Sequence, residues 1–355
     1  MTANTVTSSA NTATSSANTA SSGGIPVEVA AASELVEPAL RTAVDELTPR
    51  IRDVVSYHLG WQDQHGNSVS GGGGKTLRPA LAVLCAQAVG AEAASAVPGA
   101  VAVELIHNFS LLHDDVMDGD TQRRRRPTVW WLHGVPTAIL AGDALLTLAV
   151  DVVQRSGNDA ASSCVTEAVQ ELISGQQQDI GFERRHDVEL QECLTMADGK
   201  TGALMCCAAR VGGLLGGAPV ETARTLGQFG RNLGMAFQLV DDLLGVRGDP
   251  AVTGKPTRSD LRARKKTVPV VAALNSGTAA GEQLAQRYFD ETTVTETELH
   301  HMAELIDRSG ALDWTERTAD EHVQQALRSL QHVAPPQDTS ETLRRFASFI
   351  TERDT

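Results

Sequence analysis

The chain has 355 residues, 41% hydrophobic and 21% charged, enough to bury a large core as one big domain or two ordinary ones. Its net charge of −14 excludes a general nucleic-acid binder, which needs a basic surface. The five cysteines lack any CxxC spacing, so neither a disulfide framework nor a zinc site is expected, only small buried apolar residues.

In chain order, residues 1–24 are almost entirely Ser, Thr, Ala, Asn and Gly, with SSANTA at 8–13 and again at 15–20. Such a segment has too little apolar surface to offset the entropy of ordering. It is expected as a disordered tail ahead of one domain over 25–355. It carries neither the basic region nor the apolar stretch of a secretory signal, and no uninterrupted apolar window downstream reaches bilayer length. A cytoplasmic protein without a membrane span is therefore expected. From Glu34 onward apolar residues recur at spacings of three and four, as in Leu105, Phe109, Leu112 and Val116, which predicts helix. Clusters of Gly and Pro at 70–74, 97–99, 212–218, 248–256 and 334–336 divide the chain into about ten to thirteen helical segments. The expected fold class is all-α: a single-domain helical bundle.

Two acidic motifs sit inside apolar helices. In Asp114-Asp115-Val116-Met117-Asp118, a helical projection puts His107, Leu111, Asp114 and Asp118 within an arc of about 60°, with Asp115 about 80° from His107. Carboxylates this close repel unless a cation neutralises them, and an all-oxygen ligand set with open positions suits Mg²⁺. In the second motif Gln238, Asp241, Asp242 and Gly245 share a face at i, i+3, i+4 and i+7. Cations accompany both motifs: Lys75 and Arg78 after a four-glycine run, Arg123 to Arg126 after the first motif, then Lys200, Lys255 and Lys266. Guanidinium forks and glycine-rich backbone both favour phosphate. Acidic clusters, metal and many cations together read as binding of more than one diphosphate.

From about residue 34 to 350 the chain resembles the all-trans isoprenyl diphosphate synthase (polyprenyl synthetase) family. The resemblance rests on GGGGKTLRP at 71–79, LLHDDVMDGDTQRRRRP at 111–127, GQQQD at 175–179, KTG at 200–202, FQLVDD at 237–242 and GDPAVTGK at 248–255, in that order. It implies the isoprenoid-synthase bundle around a deep central cavity, usually as a homodimer. The implied reaction is Mg²⁺-dependent head-to-tail condensation of isopentenyl diphosphate with an allylic diphosphate. Carried over by position, Asp114, Asp118 and Asp241 resemble the ligands of three Mg²⁺ ions, supported by Asp115 and Asp242. Arg123, Lys200, Lys255 and Lys266 resemble the allylic diphosphate site. Lys75, Arg78, His107 and Arg124 resemble the isopentenyl diphosphate site. Thr201 and Gln238 would place oxygens near the allylic cation, and Gln176 and Asp179 would line the cavity.

Three positions depart from the family pattern. Gly245 stands where many members have a third Asp, Arg125 replaces a usual Gly, and Ser259 replaces a common Gly. Phe109 and Ser110, five and four residues before Asp114 with no insertion in the motif, resemble the cavity floor of synthases that stop at geranylgeranyl diphosphate (C20). Farnesyl diphosphate (C15) is the alternative product. Phe109 projects about 140° from Asp114, so helix geometry alone does not aim it at the growing tail. A terpene cyclase on the same fold would need no second diphosphate site and would carry an Asn/Ser/Glu motif, which is absent. A non-catalytic partner subunit would typically have lost acidic motifs that are retained here. Of the 30 basic residues only five are lysines. Lys75, Lys200, Lys255 and Lys266 fall on motif positions, and Lys265 is left without one.

Overall fold

The computed structural model describes residues 27–69, 76–247, 258–290 and 294–351. The 1–24 tail, the glycine run with Lys75, and the GDPAVTGK segment with Lys255 lie outside the described residues. The described part is all-α, as expected, apart from one short hairpin.

The helices run α1 Val27–Asp45, α2 Pro49–His58, α3 Leu77–Ala88 and α4 Val97–Met117, followed by a hairpin of β1 Gln122–Arg123 and β2 Arg126–Pro127. Next come α5 Val129–His133, α6 Val135–Gln154, α7 Asp159–Glu183 and α8 Leu190–Ala197, then a π-helical segment Asp198–Gly202. The chain continues through α9 Ala203–Leu215, α10 Val220–Arg247, α11 Ser259–Arg262, α12 Val268–Leu274, α13 Ala279–Tyr288, α14 Glu296–Arg308, α15 Ala311–Val333 and α16 Gln337–Thr351. Proline in the first turn opens α2, α4, α6 and α12, where its missing N–H costs nothing. Thr295 and Glu298 form a reciprocal capping box at the start of α14.

The long α10 packs against α9 and α15, and α4 lies against α3, α6 and α9. Glycines let these helices meet backbone to backbone. A Cβ at Gly212 would overlap the carbonyl of Ala82, and one at Gly230 the carbonyl of Met205. Cys85, Cys164, Cys193 and Cys207 are buried, and all five thiols are free, in line with the expected apolar role.

The count of uninterrupted apolar residues missed one feature. The Ala93–Met117 stretch and α6 are each long and apolar enough to cross a membrane by length and composition. Isolated polar groups such as Asn108 and Asp143 break the run without making the helix polar. The first stretch is a core helix, 67% buried, whereas only 33% of the α6 window is buried. Ile139 and Leu140 of α6 stay exposed.

Candidate active site

The two acidic motifs lie at the C-terminal halves of α4 and α10, and the packing brings them to one cavity of about 210 Å³. Asp114, Asp118, Asp241 and Asp242 line it with Asp179, Lys200, Gln238, Asp260, Lys265 and Arg123, while Leu111, Met196 and Ala197 supply apolar wall. Lys200 arrives there through the π-helical segment, which presses on α7. A Cβ at Gly175 would overlap the backbone N of Lys200. That close approach sets Asp179, one helical turn beyond Gly175, against the lysine, and Lys200 Nζ donates to Asp179 Oδ2 at 2.5 Å. Burial lowers the Lys200 pKa, but the Asp114 and Asp179 carboxylates outweigh it and the net shift is upward. Asp114 is raised, chiefly by burial, with Lys200 opposing.

The second aspartate of each motif is buried and hydrogen-bonded to protein groups. Asp115 is 1% exposed, and Arg123 Nε donates to its Oδ1 at 2.7 Å. Burial pushes this carboxyl up to about 6 against the arginine's opposing charge. Thr201 Oγ1 donates to Gln238 Oε1 at 2.6 Å, and Gln238 Nε2 donates to Asp242 Oδ1 at 2.7 Å. Asp242 Oδ2 in turn accepts the Val268 N–H at the start of α12, at 2.9 Å. Burial lifts Asp242 to about 7 despite these two hydrogen bonds. Thr201 and Gln238, 37 residues apart in the chain, are thus adjacent links of one chain of hydrogen bonds.

The two neighbouring lysines are placed differently from each other, and Lys265 adds a contact that its lack of a motif position did not suggest. Lys265, which had no motif position, donates through Nζ to Asp118 Oδ2 at 2.8 Å, and Asp118 holds its pKa above the usual lysine value despite burial. Lys266 borders the same cavity, yet its Nζ turns to the Glu183 carbonyl at 3.3 Å and lies 5.7 Å from the Tyr288 and Phe289 ring centres. The physical reason is the turn before α12. Arg264 has φ +53°, Lys265 N–H donates to Asp260 O, and Tyr288 Oη donates to Lys265 O. This pinned backbone aims residue 265, not 266, at the α4 carboxylates. Asp260 is a further site residue that sequence reasoning missed. A Cβ at Gly245 would overlap Asp260 Oδ2, so the space freed by the absent third Asp is taken by this carboxylate from α11.

The hairpin divides the arginine run. Arg123 lines the carboxylate cavity, whereas Arg124 lines a second cavity, of about 170 Å³, with Glu104, Asn108 and Thr76. Arg126 is structural: it donates to the carbonyls of Tyr57 and Gln62 at 3.1 and 2.6 Å and lies over the Tyr57 ring. Beside the second cavity, Arg78 Nη1 lies 3.5 Å from His107 Nε2. Arg78 Nε and His58 Nε2 are buried without a hydrogen-bond partner. Burial, then repulsion from Arg124 and Arg123, pulls His58 down to about 3, and burial followed by Arg78 pulls His107 well down. Buried Glu104 accepts from Asn108 Nδ2 at 2.9 Å, and its pKa is raised by burial. His58 and Glu104 were not singled out from sequence. For Glu104 the signal was its i−3 spacing to His107; for His58 no motif marks it.

Phe109 is buried at 6% exposure. Ser110 Oγ donates to the His107 carbonyl at 2.8 Å. Gln176 is buried with Nε2 unpartnered. Among the described residues no three His, Cys, Asp or Glu groups converge tightly enough to hold an ion unaided. The oxygens of Asp114, Asp118 and Asp241 on one cavity nevertheless fit a hard cation that draws its remaining ligands from water and phosphate.

Comparison with known proteins agrees with this architecture. The polyprenyl synthetase family profile matches residues 61–306. The chain is 49% identical over 335 residues to the (2E,6E)-farnesyl diphosphate synthase of Mycobacterium tuberculosis, covering 93% of each protein. It is 40% identical over 319 residues to the geranylgeranyl diphosphate synthase of the same organism, covering 87% of this chain and 91% of that one. The crystal structure of a polyprenyl synthetase from Streptomyces coelicolor A3(2) superposes with a TM-score of 0.89 at 47% identity, covering 92% of this chain and 99% of that one. The chain belongs to the polyprenyl synthetase family and is a prenyltransferase.

Proposed function

We propose that the protein condenses isopentenyl diphosphate with an allylic diphosphate, head to tail, and stops at geranylgeranyl diphosphate. The observation that carries the reading is the pair of adjacent anion sites: a cavity bearing both acidic motifs with Lys200, Lys265 and Arg123, next to a cavity bordered by Arg124 with Arg78 and His107 alongside. A cyclase has no use for the second.

Asp114, Asp118 and Asp241 would hold Mg²⁺, with Asp115 and Asp242 as buried anchors. Bound there, the ions supply positive charge to the departing diphosphate. Lys200, Lys265 and Arg123 bind the allylic diphosphate, and Lys266 shapes the wall behind them. The C–O bond breaks, its electron pair leaves with pyrophosphate, and the apolar wall keeps water from the allylic cation. Thr201 and Gln238 place oxygens beside that cation. Arg78, His107 and Arg124 fix the second diphosphate so that its double bond attacks from a set distance. The proton lost on closing the new double bond goes to a pyrophosphate oxygen. Gln176 and Phe109 border the tail, and Phe109 is its floor.

The 49% identity to a farnesyl diphosphate synthase supports a second reading, in which growth stops one unit earlier. The exposed apolar side chains of Trp131, Val135, Ile139 and Leu140, with Ile173 and Ile180 on α7, are the face by which two copies pair. Sedimentation should give a dimer. Incubation with Mg²⁺, labelled isopentenyl diphosphate and each allylic primer should yield an elongated labelled diphosphate. Hydrocarbon formed from primer alone would mean a cyclase, and no turnover without a partner chain would mean a non-catalytic subunit.

A further inference from the structure

We infer that product length is gauged by an edge-on pair of rings, Phe109 against His113, seated in a notch that Gly142 leaves in α6. The inference rests on the reading of Phe109 as the floor of the tail space and names what holds that floor.

A single aromatic ring at a helix surface can adopt more than one position; the neighbours decide which. One turn beyond Phe109, the His113 imidazole meets its ring edge-on, with centroids 4.9 Å apart and planes at 72°. The far side of the imidazole enters α6. His113 Nε2 lies 3.1 Å from the Ile139 carbonyl oxygen and 3.8 Å from Asp143 Oδ1. Gly142 completes the seat. A Cβ built there would overlap the imidazole, and its three nearest atoms all belong to His113. Glycine inside a helix is less favourable than alanine, so its presence on this buried face is explained by the ring that fills its place.

Close-packed interiors transmit a displacement rather than absorb it. A methyl group at 142 closes the notch and drives the imidazole off α6 toward Phe109, which then intrudes on the tail space. Removing the imidazole does the reverse, because Phe109 can fall back into the vacated volume. The first change shortens the room for the growing chain and the second lengthens it. His113 adjoins Asp114, so either change can alter the rate. The ratio of products formed is the informative readout, since it does not depend on how much is made.

The experiment compares the unmodified chain with Gly142→Ala, His113→Ala and the double variant. Each is given Mg²⁺, an allylic diphosphate primer and labelled isopentenyl diphosphate, and the dephosphorylated products are separated by chromatography. Gly142→Ala should lower, and His113→Ala raise, the ratio of longer to shorter product by about tenfold each, the scale on which a pocket weighs a methylene or two. The double variant should match His113→Ala, because the added methyl then meets no ring. If Gly142→Ala fails to fold, His113→Phe, a larger ring in the same notch, should shorten the product instead. Unchanged product lengths, or a shift in the same direction in both single variants, would overturn the gauge. No prenyl diphosphate from the unmodified chain would overturn the proposed function itself, and the gauge with it.

Discussion

The two proposed anion sites are built on opposite electrostatic plans. The first is rich in carboxylates: Asp114, Asp118, Asp179, Asp241, Asp242 and Asp260 share a cavity with Lys200, Lys265, Lys266 and Arg123. Its cations are already engaged, Lys200 with Asp179, Lys265 with Asp118 and Arg123 with Asp115. Such a site repels a diphosphate until further positive charge enters. The second site gathers Arg78, Arg124, His58 and His107 around one buried carboxylate, Glu104, and leaves donors without partners. It is already short of negative charge. Under the proposed function this implies a division of labour: one site would take its diphosphate with metal, the other would take it bare.

The largest test of that contrast is Asp114→Ala or Asp241→Ala. Each should lower turnover about 10³-fold or more, since stabilisation of the leaving group is the main contribution to the rate. The helical circular-dichroism signal should persist, and substantial residual activity would break the metal assignment. Arg78→Ala should instead raise KM for isopentenyl diphosphate by about tenfold to a hundredfold, with KM for the allylic substrate nearly unchanged. Calorimetry sharpens the comparison further. Isopentenyl diphosphate should bind without Mg²⁺, and chelation should abolish binding of the allylic partner only.

A smaller effect separates the adjacent lysines. Lys265→Arg keeps the charge but replaces a point-like ammonium, held 2.8 Å from Asp118, with a planar fork of different reach. Turnover should fall by about tenfold, the scale of one charged hydrogen bond, while Lys266→Arg should cost less. The reverse order would restore the sequence assignment. Here the reach of sequence reasoning is visible. The all-α class and the meeting of the acidic motifs were legible because helical periodicity and helix-face spacing are local rules. The choice between Lys265 and Lys266 was not, because it depends on a left-handed turn at Arg264 and a hydrogen bond from Tyr288, more than twenty residues away. The carboxylate of Asp260 beside Gly245 was hidden for the same reason. His58 enters the second site from α2, with no motif around it to mark it.

Acid–base behaviour offers a subtler probe of the first site. Asp242, lifted to about 7 by burial, keeps its proton in the folded chain at pH values where the unfolded carboxyl, near 3.9, has lost it. Between those values the native state binds more protons, so this group's contribution to stability is full below about pH 4 and is lost as pH rises through about 7. Asp115, raised to about 6, acts in the same direction. His58 and His107, held low by burial, act the other way up to about pH 6.5, so without Mg²⁺ or substrate the decline in Tm should show as pH rises from about 6.5 through about 7. Asp242→Asn, with the Gln238 amide turned over to match it, should flatten the decline. An equal slope in the variant would mean that Asp242 is ionised in the fold.

The smallest effect concerns the hairpin that sends Arg123 to one site and Arg124 to the other. Arg124 and Arg125 form its two-residue loop, with φ +51° and +61°, the left-handed pair that a twisted two-residue hairpin demands and that Asn-Gly usually supplies. A non-glycine residue there costs about 1–2 kcal/mol, and part of that returns when glycine replaces it, since glycine also loses more entropy on folding. Arg125→Gly should thus raise stability by about 0.5–1 kcal/mol, read as a higher urea midpoint with unchanged m-value. Turnover should hold, because Arg125 is exposed and lines neither cavity. A fall in turnover despite the gain in stability would mean that the strained turn helps to aim its neighbours, and that the two sites are separated by backbone tension as well as by charge.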